Sequence, residues 1–243
     1  MININSVHLS FKREEETNTV LENISFHLEP QASCAVIGPS GCGKTSLLFL
    51  LAGFLKPESG SVSISGNPIC GTILQNYGLF PWKTVEQNIG LGLKLKRKSK
   101  DVIKRKVSGL INDMGLAGFS NHFPIELSGG MQQRVALARS LAIEPEILFM
   151  DEPLSSLDAL TRERLQNLIR DIWLQQKLTI ILVTHSIEEA VFLGQKIVIL
   201  SNRPANVVQI VDNPQAGSKL YRQSEIFFHR CIELRKILAS EAH

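Results

Sequence analysis

The chain has 243 residues, 44% hydrophobic and 20% charged, with a formal net charge of +3. That is enough for one large α/β domain or two small ones with a sizeable core, and the charge is too mild to argue for nucleic acid, which calls for a clustered basic surface. Four cysteines, Cys34, Cys42, Cys70 and Cys231, lie far apart with no C-x-x-C pair, against a disulfide frame or a zinc site.

The opening "MININSVHLSFKREEE" lacks an apolar targeting core, so none is expected. "SVHLSF" and "NISFHLE" are predicted as amphipathic strands and "CAVIG" as a buried one, followed by a helix over "KTSLLFLLAGFL". The longest apolar stretch, Leu47 to Leu55, is about half of what a membrane span requires, so any membrane association is expected to be peripheral. "GSVSISG" and "TILQ" are short strands. From Val85 to Leu141 the pattern turns helical, with "SGG" opening the segment "MQQRVALARSLA". The runs "ILFM", "TIILVTH" and "KIVIL", separated by helical segments, predict a parallel sheet with crossover helices. From Lys219 the tail places Phe227, Cys231, Leu234 and Leu238 on one helical face. With no repeat or low-complexity linker, residues 1–243 are expected to form one α/β domain with a mostly parallel sheet, an N-terminal antiparallel β subdomain, a helical insertion at about 80–142 and a helical tail at about 217–240.

Between the strand "CAVI" and its helix stands "GPSGCGKTS": Gly38, Pro39, Ser40, Gly41, Cys42, Gly43, Lys44, Thr45 and Ser46. The spacing Gly-x-x-x-x-Gly-Lys-Thr in that context is a P-loop, whose backbone N–H groups make a concave anion nest at a positive helix N-terminus. It is built for nucleotide phosphates, with Lys44 on the β/γ-phosphates, the Thr45 hydroxyl on Mg²⁺, and Cys42 contributing backbone only. A buried strand ends in "ILFMDEP". Adjacent strand residues face opposite sides, so Asp151 can hold the Mg²⁺ shell while Glu152 orients or deprotonates a water.

"LSGGMQQR", upstream of "ILFMDEPLSSLD" and followed by Thr184-His185, resembles the ATP-binding subunit of an ABC transporter, in the family's motif order from roughly Ile4 to Asp212. The resemblance implies that Phe11 stacks on adenine, Gln75 contacts Mg²⁺ and senses the membrane partner, and His185 contacts the γ-phosphate. It implies further that Ser128, Gly129 and Gly130 contact ATP and that Asp158 crosses a dimer interface. Two copies would pack head to tail with ATP between them, on the cytoplasmic face of the membrane, docked on a separate permease and served by an extracytoplasmic solute-binding protein. Nucleic acid is not an implied partner. Ser128-Gly129-Gly130 at a helix start is itself a second backbone anion site without a lysine of its own.

Met131 replaces the glutamine common after "LSGG", a change also found in importers resembling nitrate, sulfonate and taurine systems, which "LFPWKTVEQNI" resembles too. Ser186 replaces the usual aspartate after the histidine, and "EPQASCA" lacks the glycine-glutamate pair expected before the P-loop strand. Neither removes a phosphate contact. Phe11 can equally be a core strand residue. A soluble ABC ATPase acting on nucleic acid or ribosomes would be expected to add a coiled coil, zinc cysteines or a second cassette; a P-loop kinase leaves "LSGG" and "SSLD" unexplained. The run Lys94 to Lys106 carries eight basic residues against Asp101, as a solvated helix face or a contact for anionic lipid. His8, His27, His122 and His229 sit in no ligand spacing.

Overall fold

A computed structural model describes residues 1–13, 16–155 and 157–241; Ser156 of "SSLD" lies outside the described residues. Strands β1 (Ile2–Arg13) and β2 (Glu16–Leu28) pair antiparallel, and after β3 (Ser33–Ile37) and α1 (Lys44–Leu51) the chain returns as β4 (Ser59–Ile64) along the other edge of β1. Strand β5 (Cys70–Ile73) leads into four helices, α2 (Val85–Ile89), α3 (Leu91–Leu95), α4 (Lys100–Asp113) and α5 (Gly129–Ala142). The remainder alternates: β6 (Ile147–Asp151), α6 (Ala159–Gln176), β7 (Thr179–Val183), α7 (Ile187–Leu193), β8 (Lys196–Leu200), β9 (Val207–Asp212) and α8 (Glu225–Ser240).

Six of the strands form one sheet in the order β5-β6-β7-β3-β8-β9, parallel except for β9. The period of two sorts its buried strands into two cores. Ala35, Ile37, Leu148, Met150, Ile180, Leu182, Ile197 and Ile199 join the core under the helices α2 to α8. Their neighbours Cys34, Val36, Ile147, Phe149, Ile181, Val183, Val198 and Leu200 join the core shared with α1 and the antiparallel sheet. This is the P-loop α/β core with an antiparallel β subdomain and inserted helices that the sequence predicts.

Three details differ from the sequence pattern. The helix over "KTSLLFLLAGFL" stops at Leu51, because Gly53 takes φ 76° and turns Phe54 out to solvent. Strand β9 was not predicted: it is an edge strand, half-exposed, with no clean alternation. The basic run is divided between two helices, since α3 ends at Leu95, Arg97 has φ 54°, and Ser99 caps α4. Its bases are exposed apart from half-buried Lys106, which pairs with Glu144 at 2.7 Å. The tail behaves as its pattern predicts, with Phe227, Cys231 and Leu234 buried and Leu238 packed beside them. Among the described residues no helix is long and apolar enough to cross a membrane.

Trp173 locks α6 to the sheet. It is buried, and its indole Nε1 donates to the Gln31 carbonyl at 2.9 Å, in the turn that feeds β3. Trp173→Ala removes both the packing and that bond, and should lower unfolding free energy by about 3–5 kcal/mol in urea titration.

Candidate nucleotide site

The chain leaves the C-terminal end of β3 into the loop Gly38–Gly43. Gly43 caps α1 at φ 118°, a conformation L side chains rarely adopt, and a Cβ there would lie 2.7 Å from Val20 Cγ1. A glycine cap leaves α1 without a side-chain bond to its first N–H groups, whereas Ser99, Ser128, Asp158, Ser186 and Ser224 supply one to α4, α5, α6, α7 and α8. The orphan donors and the positive end of the helix dipole are thus left for an anion, and on this observation the loop fits phosphate. Lys44 is 5% exposed, and its Nζ donates to the carbonyls of Gly38 (3.0 Å) and Pro39 (2.8 Å). Ser40, Gly41, Gly43, Lys44, Thr45, Ser46 and Glu152 line one cleft, while Cys42 turns its side chain into the core.

Asp151, last residue of β6, shares the side of Ile147 and Phe149 that packs toward α1, and there its Oδ1 accepts from Thr45 Oγ1 at 3.0 Å. Burial pushes the carboxyl above the usual range, and the Thr45 hydrogen bond works against that rise. A buried carboxylate beside a hydroxyl gives two hard oxygen donors of the kind Mg²⁺ takes. At Glu152 the backbone turns left-handed, φ 44°, with its N–H donating to the Val183 carbonyl at 2.9 Å. The Glu152 Oε2 atom accepts from Gln75 Nε2 at 3.1 Å and lies 3.3 Å from His185 Nδ1. Gln75 follows β5 and His185 follows β7, so three strand ends converge on one carboxylate.

The other predicted residues stand elsewhere. Ser128 caps α5, its Oγ accepting from Met131 N at 3.4 Å, and Asp158 caps α6, accepting from Thr161 N at 3.0 Å. That backbone donor holds the exposed Asp158 carboxyl below its ordinary range. A Cβ on Gly130 would come within 2.8 Å of Thr161 Cγ2, so the starts of α5 and α6 meet, and one surface carries Ser128, Gly129 and Asp158. None of these residues lines the P-loop cleft. Phe11 is 43% exposed opposite Asn18 and belongs to neither core.

Sequence reasoning missed three supports of the site. Arg139 donates from Nη1 to the Gly78 carbonyl (2.6 Å) and from Nη2 to that of Tyr77 (2.8 Å), gripping the loop after Gln75. Buried Asn88 accepts from Phe80 N (2.9 Å) and donates to the carbonyls of Phe80, Lys83 and Thr84. Glu189, 2% exposed, accepts from the Thr184 hydroxyl beside His185. The pattern Ser186-x-x-Glu189 is a capping-box signature, which marks a helix start but does not reveal that the carboxylate is buried.

The family model described as ABC transporter matches residues 21–155. The taurine import ATP-binding protein TauB of Pelagibacter ubique is 44% identical over 219 residues, 87% of this chain and 83% of the relative. The aliphatic sulfonates import ATP-binding protein SsuB of Bacillus subtilis is 46% identical over 208 residues, 83% of this chain and 80% of the relative. Among solved structures, the dimeric post-hydrolysis state of the ATP-binding cassette MJ0796 bound to ADP and Pi aligns with a TM-score of 0.80 at 28% identity, covering 87% of this chain and 98% of the other.

Burial pushes the Glu189 carboxyl up to about 7. The folded chain therefore keeps a proton that the unfolded chain has released, and this group's contribution to stability falls as pH rises from the ordinary glutamate value of 4.5 to about 7. Glu189→Gln removes that dependence. Measured by urea unfolding, the variant should gain on the parent by up to about 3 kcal/mol between pH 4.5 and pH 8.

Proposed function

The chain belongs to the ABC transporter family, and from that premise we propose that it is the ATP-binding and ATP-hydrolysing subunit of an importer for a small polar solute of the taurine, sulfonate or nitrate kind. The observation that carries the hydrolytic part is the Glu152 carboxylate, set at the rim of the P-loop cleft and bracketed by Gln75 and His185. The backbone of Gly38 to Ser46 holds the phosphates, and Lys44 exchanges its two loop carbonyls for phosphate oxygens. Thr45, Asp151 and Gln75 would hold Mg²⁺. The ion, when bound, supplies charge neutralisation at the phosphate oxygens. Glu152 orients a water and takes its proton, His185 contacts the γ-phosphate, and Phe11 offers its exposed ring to adenine.

Ser128, Gly129, Gly130 and Asp158 act on the nucleotide of a second copy. Two facts support this: Ser128, Gly129 and Asp158 share a surface outside their own chain's P-loop cleft, with Gly130 beneath it, and the similar cassette MJ0796 is dimeric. Residues 1–243 work as one nucleotide-binding unit, peripheral on the cytoplasmic face of the membrane, coupled to a permease and through it to a solute-binding protein. A kinase would have no use for the Ser128 to Gly130 surface.

Lys44→Ala should weaken ATP binding about 10- to 150-fold in equilibrium titration, the equivalent of charge-assisted bonds worth roughly 1.5–3 kcal/mol. Unchanged affinity would remove the P-loop assignment. Glu152→Gln keeps the side-chain shape without the base, so it should bind Mg-ATP, fail to turn it over, and accumulate as a dimer. Sizing with and without Mg-ATP decides: a monomer in both conditions rejects the sandwich.

A further inference from the structure

His185 stands in a closed ring of hydrogen bonds. The N–H of Ser186 donates to Thr184 Oγ1 at 3.0 Å, the Thr184 hydroxyl donates to Glu189 Oε2, and the N–H of Glu189 returns to Ser186 Oγ at 3.2 Å. In an ordinary capping box the glutamate reaches the cap N–H directly, at the helix surface. Here a buried threonine is interposed and the carboxylate is drawn inside with it. The ring accounts for Oε2 only. The second oxygen, Oε1, is buried without a hydrogen-bond partner, which capping does not require and which burial disfavours.

Arg162 lies on the same cleft as that carboxylate. The two side chains line one cleft with Leu154, Ser155 and His185, and the Arg162 charge favours the ionised form of Glu189 while the Glu152 charge opposes it. The other guanidinium in the cleft, Arg235 from α8, is engaged with Glu188 at 3.3 Å. Arg162 already donates to the carbonyls of Leu154 (Nε, 3.3 Å) and Leu157 (Nη2, 2.6 Å), the chain that delivers Asp158.

We propose that Glu189 is a positioning residue that sets the His185 loop through Thr184 and, through the cleft it shares with Arg162, ties that setting to the segment preceding Asp158. The tie rests on the roles given above to His185 and Asp158. It would let the contact with a second copy at Asp158 be felt at the histidine on the same chain, without either residue touching the other.

The test is steady-state Mg-ATP hydrolysis by the full chain, with nucleotide affinity measured separately. Glu189→Ala should lower kcat at least about tenfold and leave the nucleotide Kd within about twofold. Glu189→Gln retains an oxygen to accept from Thr184 but not the charge that Arg162 acts on, and should return kcat to about the level of Arg162→Met. Arg162→Met should lower kcat about fivefold alone and much less in the Glu189→Ala background. Parental kcat in Glu189→Ala, no rescue by Glu189→Gln, joint loss of kcat and nucleotide affinity, or independent multiplication of the two substitutions would each overturn the proposal. His185→Ala separates the premise: if it abolishes turnover while Glu189→Ala does not, the tie alone fails. If His185→Ala keeps parental kcat, the role of the histidine fails and the tie falls with it.

Discussion

A strand with both faces buried can offer polar chemistry only at its ends. The central strands β3, β6 and β7 each pack one row of side chains under the helices and the alternate row against α1 and the antiparallel sheet. Parallel pairing puts their C-terminal ends at one edge of the sheet. The P-loop, Asp151 with Glu152, and His185 all emerge there, and Gln75 joins them from the end of β5. The site is therefore a consequence of double-sided burial combined with a shared strand direction. Its local charges follow the same logic. The glycine-capped α1 presents donors without acceptors, and the Lys44 ammonium meanwhile rests on two loop carbonyls. An arriving polyanion satisfies the first and competes for the second.

The single chain carries two glycine-rich helix starts of different character. At α1 the cap is glycine and a lysine is present; at α5 the cap is Ser128, followed by two glycines, the second of which lies against Thr161 in the first turn of α6. The start of α5 does not line the cleft at the start of α1. An arrangement of this kind gains from a partner twice, since one contact between copies completes two sites by symmetry.

What was legible in the sequence follows from how each function is encoded. The P-loop turn and the Ser128-capped start of α5 are contiguous in the chain, so local spacing reveals both as helix starts, and the alternating apolar runs reveal the parallel sheet. Helix α1 ended early because one glycine, Gly53, outweighs the apolar residues beyond it, and β9 was hidden because an edge strand need not alternate cleanly. The convergence of Gln75, Glu152 and His185 depends on the strand order β5-β6-β7, which no local pattern contains. The burial of Glu189 was equally invisible, since an exposed capping glutamate and an enclosed one share the same letters.

Arg139 and Asn88 hold the segment between Gln75 and α2 entirely by main-chain atoms: the carbonyls of Tyr77, Gly78, Phe80, Lys83 and Thr84, and the Phe80 N–H. None of these bonds reads the identity of a loop side chain. The outward-facing residues, such as Trp82 at 68% exposure, can therefore be exchanged without altering the path of the backbone that carries Gln75. Such a loop can diverge between duplicated copies of the gene, each acquiring a different outer face, while the catalytic edge beneath it is inherited unchanged.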